Sequence, residues 1–257
     1  MLSTNIDRPA LEDKVKRMYT EVAGNPRGPF HFEMGRAMAE RLGYAAADLD
    51  RVPSDAIDSF AGVGHFFHLA DLRPAEHVAD LGSGSGMDTF VASLKVGPSG
   101  RVVGVDMTDG QLAKSERLAR SAGFTNVEYR KGYIEETGLE AGAFDCVMSN
   151  GVINLAADKP RVFREACRLL RRGGRLAIAD IVTESPLPDN VICNVDLWAA
   201  CIGGAAEQIQ YAADIQAAGF VIEHVEENRQ YQFLSKSARG ATDKWGVKSV
   251  SMLARRI

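Results

Sequence analysis

The sequence predicts an α/β fold: a parallel sheet with helices on both faces, entered through a helical N-terminal segment. Between Val78 and Val182, short apolar runs alternate with helical patterns, as strand–crossover–strand units require. The first strand runs directly into glycines and then a helix, as Val78-Ala79-Asp80-Leu81-Gly82-Ser83-Gly84-Ser85-Gly86. The chain has 257 residues, 46% hydrophobic and 25% charged, enough for one or two domains with a full core and no disulfide support. That composition excludes disorder, collagen and coiled coil.

Leu11–Ala23 reads as an amphipathic helix, followed by the Gly/Pro-rich turn Gly24–Pro29. The strand candidates are Val78–Leu81, Val102–Asp106, Val127–Arg130, Phe144–Ser149 and Leu176–Ile181, with helices at Asp88–Leu94, Asp109–Ala122 and Lys159–Leu170. The last helix is expected to stop at Arg171-Arg172-Gly173-Gly174, where cations and glycines suit a helix C-terminus. Beyond strand five, Asn190–Ala206 and Gln208–Ala218 look helical, and Val221–Gln232 and Ser249–Arg255 look like a late antiparallel pair. Right-handed crossovers would gather the strand carboxyl ends on one edge, where ligands bind at the switch in strand order.

Lys plus Arg is 30 and Asp plus Glu is 34, a formal charge of −4. That balance argues against an extended nucleic-acid surface. No apolar run reaches the ~18 residues of a membrane span, and Met1–Pro9 lacks a signal-peptide core. None of Cys146, Cys167, Cys193 and Cys201 forms a CxxC pair; Cys146 and Cys167 read as buried small hydrophobes. A reduced, cytoplasmic protein without a membrane partner is the expectation.

The glycine loop is the sharpest local signal. Glycines let the backbone turn tightly and let a ligand approach it closely. Position 87, where a dinucleotide fingerprint would carry its third glycine, is Met87; the third glycine comes at Gly86, giving GxGxG. Asp80 precedes the loop, where a carboxylate can face a cationic group. Asp106 ends the second strand 26 residues later, placed to accept from two ribose hydroxyls. Singly, each carboxylate also suits a helix terminus or a turn, and a glycine turn in an unrelated α/β fold or a nicotinamide enzyme stays open.

Together Asp80, the GxGxG loop and Asp106 resemble the class I S-adenosylmethionine-dependent methyltransferases. The resemblance implies a Rossmann-like, seven-stranded sheet at 71–257 behind an N-terminal helical cap at 1–70. It implies S-adenosylmethionine as cofactor: Asp80, Gly82, Ser83, Gly84 and Gly86 at the methionyl part, Asp106 at the ribose, and Met107, Tyr133 and Ile134 at the adenine. Asn150, in Met148-Ser149-Asn150-Gly151, would border the reacting methyl group.

Further stretches are similar to the arsenite methyltransferase branch: Leu42-Gly43-Tyr44, Gly62-Val63-Gly64, Gly104-Val105-Asp106-Met107-Thr108, Ser149–Leu155, Asp158–Glu165 and Ala200-Cys201-Ile202-Gly203-Gly204. That branch grips trivalent arsenic with cysteines from separate segments. Two of their positions hold His65 and Gly151 here, and Cys201 alone remains. The resemblance therefore implies the same scaffold with a different small-molecule acceptor, bound near Phe30, His31, Phe66 and Trp198, with His65, Asn150 and Cys201 as catalytic candidates. Metal binding by His65 and His68 lacks a third ligand, so no metal is expected. Two alternatives stay open: arsenite methylation through Cys201 and external thiols, and cofactor binding without catalysis. The acceptor atom and the oligomeric state are left undetermined.

Overall fold

The computed structural model describes residues 8–30, 32–188, 191, 203–234 and 236–257. His31, Trp198, Cys201 and Cys193 lie outside them. So do 12 of the 17 residues of the helix expected over Asn190–Ala206; among its described residues Gly203 and Gly204 form a turn and Ala206 enters a short strand.

Helix α1 spans Arg8–Gly24, and four short helices follow: α2 (Arg36–Leu42), α3 (Ala46–Leu49), α4 (Ser54–Asp58) and α5 (Phe67–Ala70). Next come β1 (His77–Leu81), α6 (Met87–Val96), β2 (Arg101–Asp106), α7 (Asp109–Ala122), β3 (Val127–Lys131) and β4 (Phe144–Asn150). A 3-10 turn at Ile153–Leu155 leads to α8 (Lys159–Leu169) and β5 (Leu170–Thr183). The chain closes with β6 (Ala206–Glu207), α9 (Gln208–Ala217), β7 (Phe220–Glu227), α10 (Lys236–Trp245) and β8 (Lys248–Arg256).

The expected seven strands form one path, β3-β2-β1-β4-β5-β8-β7, with the two-residue β6 paired beside β5 as an eighth. The first five are parallel, and β8 lies antiparallel to both β5 and β7. The order reverses at β1, with β2 on one side and β4 on the other, so a crevice opens at the carboxyl ends of β1 and β2. Side chains alternate across the sheet. Val78, Val102, Cys146 and Ala177 join α2–α7 on one face, while Ala79, Val103, Val147 and Leu176 meet α8 and α9 on the other.

Three local expectations need correction. Arg171–Gly174 do not form a free helix terminus; they bulge within β5, whose partners jump from Leu170 to Arg175 between Phe144 and Cys146. The late strands pair as expected, but β7 stops at Glu227 and α10 intervenes before β8, so no tight hairpin exists. Beyond Glu227, Tyr231 and Phe233 pack on the core without continuing the strand, a spacing that apolar alternation does not distinguish from a strand.

Candidate functional site

Two neighbouring clefts sit over the β1/β2 ends, sharing Tyr19, Gly82, Gly84 and Val152. The first encloses about 820 Å3 of space, continuous with solvent, between Met107, Tyr133, Ile134 and Glu135 on the sheet side and Leu11, Glu12 and Val15 of α1. The second, about 520 Å3, is walled by Phe60, Gly62, Asp80, Ser83, Ser85, Met87, Asp88, Gln111 and Asn150.

The loop geometry follows from its glycines. Gly82 has φ +78°, and a Cβ there would strike the Val152 side chain, so the backbone itself forms the wall shared by both clefts. Gly84 donates its N–H to Asp106 Oδ2 at 2.9 Å, and Thr108 N–H reaches Oδ1 at 2.8 Å. These two bonds orient the Asp106 carboxylate in the first cleft while leaving lone pairs for hydroxyl donors. Burial raises its pKa above the usual carboxylate value.

Asp80 is 2% exposed and accepts from Thr89 Oγ1 at 2.6 Å. Burial, then repulsion from Asp88, holds its pKa well above the ordinary carboxylate range. Asp88, in the first turn of α6, is 6% exposed. It accepts from Tyr44 Oη at 2.6 Å and Asn150 Nδ2 at 3.0 Å. Burial nevertheless pushes its pKa up to about 6. Ser83 Oγ, on the same wall, is buried with no hydrogen-bond partner. Neither cleft is lined by a Lys, Arg or His among the described residues.

The sequence-derived residues separate into groups. Asp80, Gly82, Ser83, Gly84, Asp106, Met107, Tyr133, Ile134 and Asn150 all line a cleft. Gly86 lines neither. It begins α6 at φ +94° with its missing Cβ directed at Tyr129 and Phe90, so it serves helix packing instead. Asn150 is bonded on both sides: Oδ1 accepts from Val63 and Gly64 N–H, and Nδ2 donates to Tyr44 Oη, the Gly64 carbonyl and Asp88. This amide fastens the Gly62–Gly64 loop to the tip of β4, a positioning arrangement.

His65, Phe30 and Phe66 are not brought to the clefts. His65 packs edge-on against Tyr44, with ring centroids 4.8 Å apart, and stacks on His68 at 5.2 Å. Burial lowers its pKa to about 4, with the His68 charge adding to the effect. On the far side, His68 Nε2 meets Glu226 at 2.7 Å. Phe66 is fully buried, and Phe30 stacks on Phe32. Phe66 fills the core, as apolar side chains ordinarily do, while Phe30 stays half-buried.

Sequence reasoning missed Asp88, Tyr44 and the inner face of α1. Leu11 and Val15 lie four apart and pack with Met107, Leu155 and Tyr19, an amphipathic stripe whose partner was invisible in sequence. Tyr133 Oη donates to Glu12 and accepts from Lys16 at 3.0 Å, tying α1 across the first cleft. Gln111 Nε2 holds the Tyr19 carbonyl at 2.9 Å, and Lys114 Nζ holds that of Ala23 at 3.1 Å.

The family model described as a methyltransferase domain matches residues 72–239. The chain belongs to the methyltransferase domain family. An arsenite methyltransferase of Halobacterium salinarum is 39% identical over 198 residues, 77% of this chain and 50% of that protein. The human arsenite methyltransferase is 41% identical over 152 residues, 56% of this chain and 40% of that protein. The chain thus spans about half the length of the curated relatives it matches. An arsenic (III) S-adenosylmethionine methyltransferase from Chlamydomonas reinhardtii superposes with TM-score 0.65 at 29% identity, covering 87% of this chain and 74% of that one. Geranyl diphosphate C-methyltransferase from Streptomyces coelicolor A3(2), solved with Mg2+, geranyl diphosphate and S-adenosyl-L-homocysteine, gives TM-score 0.71 at 16% identity, covering 96% and 98%. That second likeness concerns the fold alone.

The class I fold and the S-adenosylmethionine dependence of the family agree with the site's chemistry. An acidic cleft free of lysine and arginine, beside an apolar slot, suits a ligand with a cationic tail and an adenosine. As for metals, the described residues contain no cluster of three or more His, Cys, Asp or Glu able to hold an ion. No helix among them is long and apolar enough to cross a membrane.

Proposed function

We propose that this methyltransferase moves a methyl group from S-adenosylmethionine to a small-molecule acceptor by in-line displacement. The observation that carries the reading is the paired cleft: Asp106 bonded to Gly84 at the first, Asp80 with the glycine wall at the second. When bound, the cofactor supplies a methyl carbon made electrophilic by its sulfonium. The protein's own part is placement and exclusion of water. Asp106 receives the ribose hydroxyls, Met107 and Ile134 flank the adenine, and Asp80 with the glycine loop receives the methionyl tail. Asn150 keeps the Gly62–Gly64 wall fixed, and α1 shields the slot. Holding reactants in line lowers a barrier by several kcal/mol, on the order of 7 in well-aligned cases.

The proposal includes a division into an N-terminal helical cap, 1–70, and a cofactor-binding unit, 71–257, with α1 as the roof. No histidine among the described residues lines either cleft. This favours acceptors that carry their own lone pair (a thiolate, a selenolate or a neutral amine) over hydroxyl or carbon acids that require a base. Cys146 is fully buried within β4, where burial pushes its thiol up to about 12, and Cys167 sits on α8. Neither supplies a thiolate to the clefts.

A second reading, arsenite methylation through Cys201 and external thiols, draws on the names of the relatives. A third is cofactor binding without turnover. Calorimetry with S-adenosylhomocysteine and transfer of label from methyl-labelled cofactor, into a metabolite extract and into arsenite, separate all three. Labelled small molecules other than methylarsenicals support the proposal. Methylarsenicals alone replace it with the second reading, and binding without any transfer replaces it with the third.

A further inference from the structure

Asp180, near the carboxyl end of β5, is 1% exposed yet lines neither cleft. Burying a carboxylate is unfavourable unless donors and a cation converge on it, and here they do. Ile181 N–H donates to Oδ1 at 2.8 Å, while Asn154 N–H at 3.1 Å and Tyr211 Oη at 2.9 Å donate to Oδ2. The ammonium of Lys159, a buried residue of α8, adds its attraction. Asn154 also donates its side-chain amide to the Ile181 carbonyl, and Lys159 donates to the carbonyls of Asn154 and Ala156 at 3.4 and 3.2 Å. Asp180 and Lys159 thus hold one short stretch together, the 3-10 turn Ile153–Leu155 and its flanks. That stretch is a cleft wall: Leu155, Ala156 and Ala157 line the first cleft, and Val152, packed over Gly82, lines both.

We propose that Asp180 is a positioning residue: as a carboxylate it fastens the Val152–Ala157 wall in the form that receives the nucleoside, and as a neutral acid it lets that wall loosen. This rests on the cofactor reading above and adds acid sensitivity to it, from a residue that touches no ligand. The ionised group is acceptor-only and meets all three donors, whereas a proton on either oxygen turns that oxygen into a donor. The same proton removes the negative charge that attracts Lys159. Asn154 then loses its grip on β5 through its N–H, and Asn154 is the residue directly before Leu155. Burial pushes Asp180 up to about 6, against the pull of its donors and of Lys159, so the change falls around pH 6. The groups facing Asp180 are Lys159 from α8 and Tyr211 from α9, with Asp214 acting on Tyr211 from behind. Burial holds the Tyr211 phenol well above its ordinary value, so it stays a neutral donor throughout.

The test is titration calorimetry of the full chain with S-adenosylhomocysteine, wild type against Asp180→Asn, at pH 7.5 and pH 5. The amide keeps the shape of the acid, but one oxygen becomes an NH2 that accepts nothing. Asp180→Asn is expected to weaken binding about fivefold or more at pH 7.5, the scale of one lost hydrogen bond. At pH 5, where the native acid is already neutral, the two proteins should differ by less than about twofold. Asp80, Asp88 and Asp106 titrate in both proteins and cancel in the ratio of the dissociation constants. A ratio that is the same at both pH values overturns the proposal, because a merely architectural Asp180 behaves that way. Should Asp180→Asn fail to fold, Tyr211→Phe withdraws one donor and keeps the carboxylate. Loss of a bond to the charged form raises a carboxyl pKa, so the pH at which binding is half lost should rise by about half a unit. An unmoved midpoint overturns the proposal as well. If the wild type binds no S-adenosylhomocysteine at pH 7.5, the cofactor reading itself falls, and this proposal with it.

Discussion

Asn150 separates chemistry from architecture most cleanly. Its Oδ1 accepts from Val63 N–H at 2.8 Å and Gly64 N–H at 3.3 Å, and its Nδ2 donates to Tyr44 Oη at 3.1 Å and to the Gly64 carbonyl and Asp88 at 3.0 Å each. Asn150→Ala leaves two N–H groups in a buried loop without acceptors, at about 1–3 kcal/mol for each orphan. It also withdraws one of the donors that stabilise the Asp88 carboxylate. A loss near 3–4 kcal/mol is expected, which for a protein of this size lowers Tm by roughly 10 °C. Asn150→Asp should fare no better, because its second oxygen would face Asp88 as a like charge. Thermal unfolding followed by circular dichroism, with and without S-adenosylhomocysteine, reads the effect. A Tm within about 2 °C of wild type together with abolished turnover would refute the positioning assignment, because an amide engaged only by the transferred group would behave that way.

Asp106→Ala removes the acceptor for the ribose hydroxyls as well as the bonds from Gly84 and Thr108. Cofactor affinity should fall at least tenfold by calorimetry, since bonds to a charged acceptor contribute about 1.5–3 kcal/mol; an unaltered Kd would show that the sugar binds elsewhere. Gly82→Ala forces a side chain onto a backbone at φ +78° and into Val152, so nucleoside binding should be lost in the same titration, and tight binding would contradict the wall built by Gly82. His65 carries the pH prediction. Burial lowers its folded pKa from 6.5 to about 4, so the unfolded chain takes up this proton first and stability falls as pH drops from about 6.5 toward 4. The raised pKa values of Asp80 and Asp88 act oppositely, weakening the fold as pH rises above 3.8, for Asp88 up to about 6. The informative quantity is therefore wild type minus His65→Phe: denaturant melts across that range should show a shallower acid decline in the variant. Turnover within twofold of wild type is expected, and a hundredfold loss would restore His65 as a base.

Much of the scaffold was legible because parallel strands buried on both faces write themselves as short apolar runs, and crossover helices carry a different period. Helix α7 was read at its observed limits, Asp109–Ala122, its last turn closed by Gly123 in the left-handed conformation. The shared edge of the two clefts was legible for a similar reason. Asp80, the glycines and Asp106 stand at strand ends, where the chain's direction already says which edge they share. Less local features did not show. Gly86 sits in the loop motif yet serves Tyr129 and Phe90, because a glycine records only that something comes close, not what does.

By itself, the sequence determined the alternation of strands and helices, the edge on which ligands gather and the acids at the first two strand tips, all of which follow from patterns within a few residues. Tertiary structure alone decided that α1 roofs the first cleft, that Asp88 shares a wall with Asp80, that Asn150 is a fastener and that His65 faces Tyr44 away from the clefts. The physical reason is range. Periodicity and turn chemistry are set by neighbours along the chain, whereas the electrostatic character of Asp88 depends on a tyrosine 44 residues away and an amide 62 residues away, brought together only when the sheet and its cap pack.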